Sequence, residues 1–302
     1  MDFGFVSAIV PDLSLEEVLS YAAQQGFDCV ELMCWPVGKA ERRYAGVTHL
    51  DVTNFTASDA DRVKALVAKY GVKISALGYY PNPLAADKAE RETYTDHIRK
   101  VIAAAAMIDV GVMNTFIGRD PLKTIDDQWP LFEETWKPII AFAEQQNVRV
   151  GIENCPMLFS YDEWPGGKNL ATSPEVWRRM FASIPGAHFG LNFDPSHLIW
   201  QQIDYVRCIH EFGTRFVHVH LKDEKILPDM IYERGVMGVK WHAPKIPGLG
   251  SVEWGRFFSA LTDVRYKGAV CIEVEDKAFE DSLESRKHAI QQSKRYLEPF
   301  LR

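Results

Sequence analysis

Two apolar stretches of the chain end in side chains that bind metal ions or move protons. Residues 191–200 read LNFDPSHLIW, with Asp194 and His197 three positions apart. Residues 217–223 read VHVHLKD, with His220 near the end. Both stretches are typical of buried strands, where a charged group costs several kcal/mol unless a partner compensates it. A bound cation is one such partner.

Two further carboxylates occupy similar positions. Glu153 lies in RVGIENCP at 149–156, and Glu273 lies in AVCIEVED at 269–276. A single glutamate near a strand end is more often a helix cap or part of a surface salt bridge than a metal ligand. Taken with Asp194 and His220, they give a set of three carboxylates and one imidazole. Such an oxygen-rich set suits Mn²⁺, Mg²⁺ or Co²⁺, whereas a structural zinc site typically uses thiolates. We expect one divalent ion per chain, Mn²⁺ first, with Mg²⁺, Co²⁺ and Zn²⁺ as alternatives.

The elements that must position these residues repeat in a βα rhythm. Short runs rich in β-branched residues alternate with segments of helical periodicity, such as SLEEVLSYAAQQG with Ser14 as its cap and Gly26 as its stop. The predicted strands are 3–10, 29–35, 73–80, 112–118, 149–156, 188–195, 215–223 and 269–276. Eight such units favour a single-domain (β/α)₈ TIM barrel over 1–302. An open doubly wound sheet is the alternative, disfavoured because no glycine-rich phosphate loop follows a predicted strand.

In a barrel, alternate strand residues face inward and catalytic groups lie at the carboxyl ends of the strands. This parity brings Glu153, Asp194, His220 and Glu273 to the ends of four successive strands. His218, one layer deeper, is expected to be a hydrogen-bonding core residue. His197 has three open roles, as a ligand, as a residue that orients a ligand, or as a substrate contact, and we favour the last two. For Lys222 an inward and an outward direction both remain open.

Composition limits the partners. The 302 residues carry a formal net charge of −7 and no basic cluster of the kind that binds a nucleic-acid backbone. The five cysteines are scattered without a CxxC pair and are expected to be reduced thiols; they are Cys29, Cys34, Cys155, Cys208 and Cys271. No signal-like N-terminus and no run of eighteen apolar residues occurs. We expect a cytoplasmic enzyme that binds neither nucleic acid nor a membrane.

Two long irregular stretches, 36–58 and 224–250, interrupt the rhythm. Loops of this length are often functional. The second stretch contains Trp241, His242 and the sequence PGLG, and it is predicted to form an ordered lid over the barrel mouth. Aromatic side chains could provide walls against which a sugar ring stacks, although two or three of the candidates are expected to be core residues. These candidates are Trp35, Tyr79, Tyr80, Trp200 and Trp241.

The motifs GIEN, NFDPSH, HVHLKD, IPGLGSVEW and YKGAVCIEVED resemble the xylose isomerase-like TIM-barrel superfamily over essentially the whole chain. That superfamily groups sugar isomerases and epimerases with apurinic endonucleases and inosose dehydratases. The ketose 3-epimerase type, with one Mn²⁺ held by two glutamates, an aspartate and a histidine, is the most similar. The resemblance implies a substrate contact for His197 and metal ligation by Glu153, Asp194, His220 and Glu273.

The chain differs from two branches of this superfamily, the trinuclear endonucleases and the simple ketose epimerases. The trinuclear endonuclease branch needs further histidines, but the third and fourth predicted strands end in Tyr79, Tyr80, Asn114 and Thr115, and 224–250 contains no Asp-x-His pair. One metal is therefore expected. The stretch 224–250 is longer than in simple ketose epimerases, so epimerases and lyases of 3-keto-glycosides, and dehydratases, remain the alternative.

The expected function is a metal-dependent sugar isomerase or epimerase. A carbon next to a carbonyl loses its proton when a metal stabilises the enediolate that forms. Glu153 and Glu273 would remove and return the proton from different sides of the sugar. Lys222, His197 and His242 are the expected polar substrate contacts. A sugar or metal sensor, a subunit of a two-component lyase and an endonuclease-like hydrolase are less favoured, and a homo-oligomer is left open.

Overall fold

Eight parallel strands close into a barrel in this computed structural model, which describes residues 1–38, 45–157, 167–236, 238 and 240–301. The barrel strands are β1 (Asp2–Val6), β2 (Cys29–Met33), β3 (Lys73–Gly78), β4 (Val112–Thr115), β5 (Arg149–Glu153), β6 (Phe189–Phe193), β7 (Phe216–Leu221) and β10 (Ala269–Ile272). β8 (Asp223–Ile226) and β9 (His242–Lys245) form a separate antiparallel hairpin. The last barrel strand, β10, pairs with both β7 and β1 and so closes the ring. The predicted (β/α)₈ barrel is confirmed.

Helices connect the strands on the outside. They are α1 (Leu15–Gln24), α2 (Ala57–Tyr70), α3 (Lys88–Met107), α4 (Ile125–Gln145), α5 (Pro174–Ser183), α6 (Ser196–Trp200), α7 (Tyr205–Phe212), α8 (Pro228–Arg234), α9 (Trp254–Asp263) and α10 (Leu283–Leu297). The predicted cap of α1 is present, because Ser14 and Glu17 accept hydrogen bonds from each other's backbone N–H groups. None of the helices in the described part of the chain is both long and apolar enough to cross a membrane.

The barrel strands end earlier than the sequence predicts. The first, predicted for 3–10, ends at Val6 and continues as a 3-10 helix at Ser7–Ile9. Asp194 and Glu273 both follow their strands rather than lie within them. Apolar, buried sequence continues past the last paired residue, so the pattern predicts a longer strand than the hydrogen-bonded ladder sustains. Asp194 and Glu273, two of the predicted ligands, therefore lie at the rim, where the chain leaves the sheet.

Large aromatic side chains fill the space between the barrel and the helices. Trp136, Trp177 and Trp254 are fully buried there. The barrel interior has an apolar floor, in which Ala76, Val112 and Val217 form a cluster. All five cysteines are free thiols, as expected. Polar side chains are concentrated above the floor, toward the carboxyl ends of the strands.

The two irregular stretches differ in structure. In the first, α2 begins at Ala57, and residues 39–44 lie outside the described part of the chain. The second consists of β8, α8 and β9, and only its residues 237 and 239 lie outside the described part. No side chain of α8 is buried. The stretch that the sequence predicts as a long ordered loop is therefore a β-hairpin with an exposed helix at its tip.

Candidate active site

Four side chains converge at the carboxyl end of the barrel. Glu153 ends β5, Asp194 follows β6, His220 lies in β7 and Glu273 follows β10. One ligand atom from each lies within 4.8 Å of those from the other three. Glu153, Asp194 and His220 are buried, and Glu273 is partly buried. The barrel thus brings together the four residues that the sequence predicts as ligands.

Two atoms of this cluster make no regular hydrogen bond among the described residues, although charged groups lie 3.2–3.3 Å from each of them. Asp194 Oδ2 and His220 Nδ1 are both buried, and His220 Nδ1 lies 3.3 Å from Glu273 Oε2. A buried polar atom without a regular hydrogen bond has bonding capacity that a further partner can use. Because carboxylate oxygens and imidazole nitrogens are ligands of divalent cations, an ion at this point would satisfy both atoms. The donor set and these two atoms therefore fit one divalent ion.

Lys222 points into the barrel mouth, which settles its open direction. Residues 220 and 222 are two positions apart and share one face of an extended chain. The Lys222 Nζ lies 2.9 Å from Glu273 Oε2 and 3.2 Å from both Asp194 Oδ2 and Glu275 Oε2. Burial alone would lower the pKa of Lys222, but the negative charges of Glu273, Glu275 and Asp194 raise it well above the ordinary value. A permanent positive charge therefore lies among the carboxylates.

His197 lies one helical turn beyond Asp194, in α6. Its Nε2 is 3.2 Å from Asp194 Oδ2 and 3.3 Å from Glu153 Oε1. His197, Glu153 and Cys155 also form a group whose possible ligand atoms lie within 4.8 Å of one another. This position allows His197 to contact the carboxylates, a substrate oxygen or an ion. The structure places it at the rim of the cluster and leaves its three predicted roles open.

The two glutamates of the cluster have different environments. Burial and the charge of Glu273 raise the pKa of Glu153. Burial acts in the same direction on Glu273, but Lys222 and His220 outweigh it and hold the pKa of Glu273 well below its usual range. Pairs of titratable groups whose pKa values are pushed apart commonly divide the roles of acid and base.

Glu31, in the middle of β2, is a buried carboxylate that the sequence analysis missed. It is fully buried, and its Oε2 lies 2.8 Å from His220 Nε2. Asn114 Nδ2 donates to the same oxygen at 3.0 Å, and the hydroxyl of Tyr80 donates to Oε1. Glu31 is a charged residue within the apolar run CVELM, and this is the same pattern that identifies Asp194 and His220 as candidates. It was overlooked because it lies before the carboxyl end of its predicted strand.

His218 lies one layer below His220 and is hydrogen-bonded, as the sequence predicts. Its Nδ1 lies 3.1 Å from Asn192 Oδ1 and its Nε2 lies 3.1 Å from Ser75 Oγ. Burial lowers the pKa of His218 to about 4. The Asn192 amide nitrogen is also 3.0 Å from His220 Nε2. Asn192 thus lies between the two histidines.

The predicted aromatic walls need one correction. Tyr79 is buried against the rings of Trp35 and His97, at centroid distances of 4.9 and 4.5 Å, and His97 belongs to α3. It therefore faces the helix layer rather than the carboxylates. Tyr80, the next residue, has the opposite strand parity and contacts Glu31 inside the barrel. Trp35 is partly exposed.

Asp223 holds the two ends of the β8–β9 hairpin together. Its carboxylate accepts hydrogen bonds of 2.9–3.1 Å from the backbone N–H groups of Glu224, Gly248 and Val252 and from Trp254 Nε1. A Cβ atom at Gly250 would lie 2.2 Å from Asp223 Oδ1, so only glycine fits there. The Asp of HLKD and the glycines of IPGLGSVEW therefore have a structural role.

The hairpin contributes a carboxylate–imidazole pair near the mouth. Glu224 is 2% exposed, and its Oε1 lies 2.8 Å from His242 Nδ1. Burial raises the pKa of Glu224 and outweighs the hydrogen bond from His242 and the nearby positive charges, which lower it. The His242 ring stacks on Trp200 of α6 at 4.7 Å and 3°. Trp241 is buried and packs edge-on against Trp200.

Comparison with known proteins agrees with this architecture. The chain is 26% identical to the uncharacterized protein YfiH of Bacillus subtilis (strain 168) over 91% of this chain and 93% of that protein. It is 25% identical to inosose dehydratase of Clostridium perfringens (strain ATCC 13124) over 53% of this chain and 54% of that enzyme. The structure of D-psicose 3-epimerase from Clostridium cellulolyticum H10 superposes with a TM-score of 0.70 at 15% identity, over 100% of this chain and 99% of that one. The sequence model of the xylose isomerase-like TIM barrel family matches residues 19–300. The chain therefore belongs to the xylose isomerase-like TIM barrel family.

Proposed function

We propose that the protein is a divalent-metal-dependent sugar isomerase or epimerase, which removes a proton next to the carbonyl of a keto-sugar or sugar derivative. The observation that carries the proposal is the convergence of Glu153, Asp194, His220 and Glu273, two of whose ligand atoms make no regular hydrogen bond among the described residues. The names of two relatives, a sugar epimerase and inosose dehydratase, support it. We also propose that the substrate is a small molecule and that the protein acts in the cytoplasm.

Glu153, Asp194, His220 and Glu273 would hold the ion, which we propose to be Mn²⁺, with Mg²⁺, Co²⁺ and Zn²⁺ as alternatives. When bound, such an ion supplies positive charge that stabilises the negative charge developing on the substrate oxygens. Lys222 and His197 adjoin the same cluster and can donate hydrogen bonds to further oxygens of the sugar.

Proton transfer falls to Glu153 and Glu273. They stand at the ends of β5 and β10, which are separated in the barrel by β6 and β7. The two carboxylates therefore approach a bound sugar from different directions. One removes the proton from the carbon next to the carbonyl, and the other returns a proton on the opposite face, which inverts that carbon.

Glutamine substitutions test this assignment. Glu153→Gln and Glu273→Gln each keep a carbonyl oxygen but cannot act as a base. We expect each to lower the rate of epimerisation roughly 10²–10⁴-fold, which is the usual contribution of general acid–base catalysis. The assay is proton NMR of keto-sugars and 3-keto-glycosides in deuterated water with added Mn²⁺.

Deuterium exchange separates the two glutamates. The variant without the returning carboxylate should still wash deuterium into unreacted substrate, because the other carboxylate can remove and replace the same proton. Glu253→Gln, at an exposed position, is the control and should keep the wild-type rate. Wild-type turnover in both glutamine variants would disprove the two-base mechanism, and an absence of exchange in the wild type would favour a binding protein.

The Glu224–His242 pair favours a second candidate function, the elimination of an oxygen substituent from a 3-keto-glycoside or a related dehydration. In that reaction a carboxylate takes the proton next to the carbonyl, the carbon–oxygen bond to the leaving group breaks, and an acid gives the leaving oxygen a proton. Glu224 and His242 could supply that acid. The same NMR assay decides, because elimination gives an unsaturated ketone and a released alcohol or water, whereas epimerisation gives one inverted product.

A further inference from the structure

The two ring nitrogens of His220 face different surroundings. Nδ1 makes no regular hydrogen bond among the described residues and lies 3.3 Å from Glu273 Oε2, within the cluster of predicted ligands. Nε2 faces the opposite way and lies 2.8 Å from Glu31 Oε2. A histidine that offers one nitrogen to a metal usually donates its other N–H to a carboxylate or carbonyl. The two contacts of His220 match this arrangement.

Glu31 is held firmly in this position. Both of its oxygens accept hydrogen bonds, Oε1 from Tyr80 and Oε2 from Asn114 and His220. The pairing between β2 and β3 shifts its register at Glu31, and such irregularities re-aim side chains near active sites. A Cβ at Gly78 would lie 2.6 Å from Glu31 Oε1, so the glycine leaves room for the carboxylate.

We propose that Glu31 is a positioning residue for the metal site, which fixes the ring orientation and the Nε2 proton of His220 so that Nδ1 is presented to the divalent ion. The inference rests on the proposed metal site but not on the identity of the sugar. Glu31 acts through His220 and touches neither the ion nor the substrate. The carboxylate also makes the imidazole a stronger ligand, because it stabilises positive charge on the ring.

A rival interpretation is a second ion between Glu31, His218 and His220, whose possible ligand atoms also lie within 4.8 Å of one another. The hydrogen bonds disfavour it. Both nitrogens of His218 already have partners, in Asn192 and Ser75. Both oxygens of Glu31 have partners as well. The unpaired atom beside them, Asn114 Oδ1, does not belong to the three candidate ligands of this second ion.

Metal affinity tests the proposal without a substrate. We would measure Mn²⁺ and Zn²⁺ binding to the full-length wild type and to Glu31→Gln by competition with a chromophoric chelator. The expected result is one ion per chain in both proteins, bound about 10–100-fold more weakly by the variant, which is the usual effect of losing such a partner. Glu224→Gln is the matched control for metal affinity, because it removes another buried carboxylate that is bonded to His242 rather than to a ligand.

A spectroscopic readout separates positioning from a general structural role. In the zinc-loaded wild type, long-range ¹H–¹⁵N correlations should show His220 protonated at Nε2, and Glu31→Gln should alter that signal but leave His218 neutral. Tyr80→Phe, which removes one hydrogen bond to Glu31 and keeps its charge, should weaken binding in the same direction by a smaller factor. This variant serves if Glu31→Gln does not fold.

Three outcomes overturn the proposal in distinguishable ways. Affinity within twofold of the wild type in both Glu31→Gln and Tyr80→Phe would remove the positioning role and leave the metal site standing. Loss of one of two bound ions in Glu31→Gln would establish the second-ion interpretation instead. If the wild type binds no ion, or Asp194→Asn binds as tightly as the wild type, the proposed metal site itself fails and Glu31 has nothing to position.

Discussion

At the residue scale, the barrel mouth places opposite charges in contact away from water. Lys222 is 2% exposed and lies within 3.2 Å of three carboxylates, those of Glu273, Asp194 and Glu275. Removing one partner of a buried ion pair is far more costly than removing a surface pair, because it leaves uncompensated charge. In the metal-free protein Lys222 thus supplies positive charge that compensates these carboxylates.

The first prediction concerns this lysine. We expect Lys222→Met to lower the free energy of unfolding of the metal-free protein by about 3–5 kcal/mol. Added Mn²⁺ should recover more stability in the variant than in the wild type, because the ion replaces the missing positive charge. Urea unfolding with and without Mn²⁺ measures both effects.

The control is Lys73→Met, which breaks an exposed pair with Asp2 and should cost less than about 1 kcal/mol. A loss of similar size in the two variants would mean that the carboxylates of the mouth do not depend on Lys222 for charge compensation.

At the scale of elements, the β8–β9 hairpin has a fixed base and an unburied tip. Asp223 fixes the base through four hydrogen bonds, and Lys245 adds an ion pair with Asp276 at 2.9 Å. The tip helix α8 buries no side chain. Elements with few buried apolar contacts open most readily, which is the property that a lid requires.

The second prediction replaces the tip, residues 228–240, with a short Gly-Ser turn that retains β8, β9 and the Glu224–His242 pair. The free energy of unfolding should change by less than about 1 kcal/mol, because little apolar surface is lost. Metal affinity should stay unchanged while KM for the sugar rises, as expected of a lid. Steady-state kinetics and the chelator assay measure the two effects separately.

Asp223→Asn provides the contrast for the tip replacement. It leaves one oxygen where two accepted four hydrogen bonds, so it should destabilise the base of the hairpin by about 1–3 kcal/mol. Unchanged kinetics after the tip replacement would show that α8 takes no part in substrate binding.

At the scale of the whole molecule, two buried histidines outside the candidate site link stability to pH. Burial lowers the pKa of His49 and of His97. His49 contacts Ser7 Oγ at 3.0 Å, and His97 Nε2 lies 2.8 Å from the carbonyl oxygen of Cys34. The folded protein therefore keeps both rings neutral at a pH where the unfolded chain would protonate them.

The third prediction follows from this difference. An unfolded histidine takes up its proton near pH 6.5, so below that pH the unfolded state binds more protons and the two histidines lower the free energy of unfolding. Above about pH 6.5 both histidines are neutral in the folded and the unfolded protein, and the free energy of unfolding has its full value. It decreases as the pH falls from about 6.5 toward the pKa values of the folded protein. His49→Gln and His97→Gln should each flatten the pH dependence of the free energy of unfolding below about pH 6.5, by up to about 1.4 kcal/mol per pH unit.

Urea unfolding across this pH range measures the slope, with His210→Gln at an exposed position as the control. The variants must be compared with the wild type because other histidines also affect the slope. The pKa values of His197 and His220 are raised, so these two make the free energy of unfolding decrease as the pH rises. Identical slopes in the wild type and both variants would contradict the prediction.

The sequence by itself determined the repeating fold and the four predicted ligands. Strand and helix periodicities are local properties, so eight βα units are visible without any tertiary contact. Parity then places Glu153, Asp194, His220 and Glu273 on the inward face, because side chains alternate strictly along a strand. The structure brings these four together as that argument requires.

Only the tertiary structure decided which side chains meet across the barrel. Glu31 reaches His220 because closure of the ring and a register shift bring β2 opposite β7, and no local pattern encodes either event. The directions of Lys222 and Tyr79 likewise depended on which neighbours surround them, carboxylates for the first and α3 for the second. Sequence periodicity fixes the face on which a side chain lies, whereas its partners depend on strand register and ring closure, which are set by packing of the whole chain.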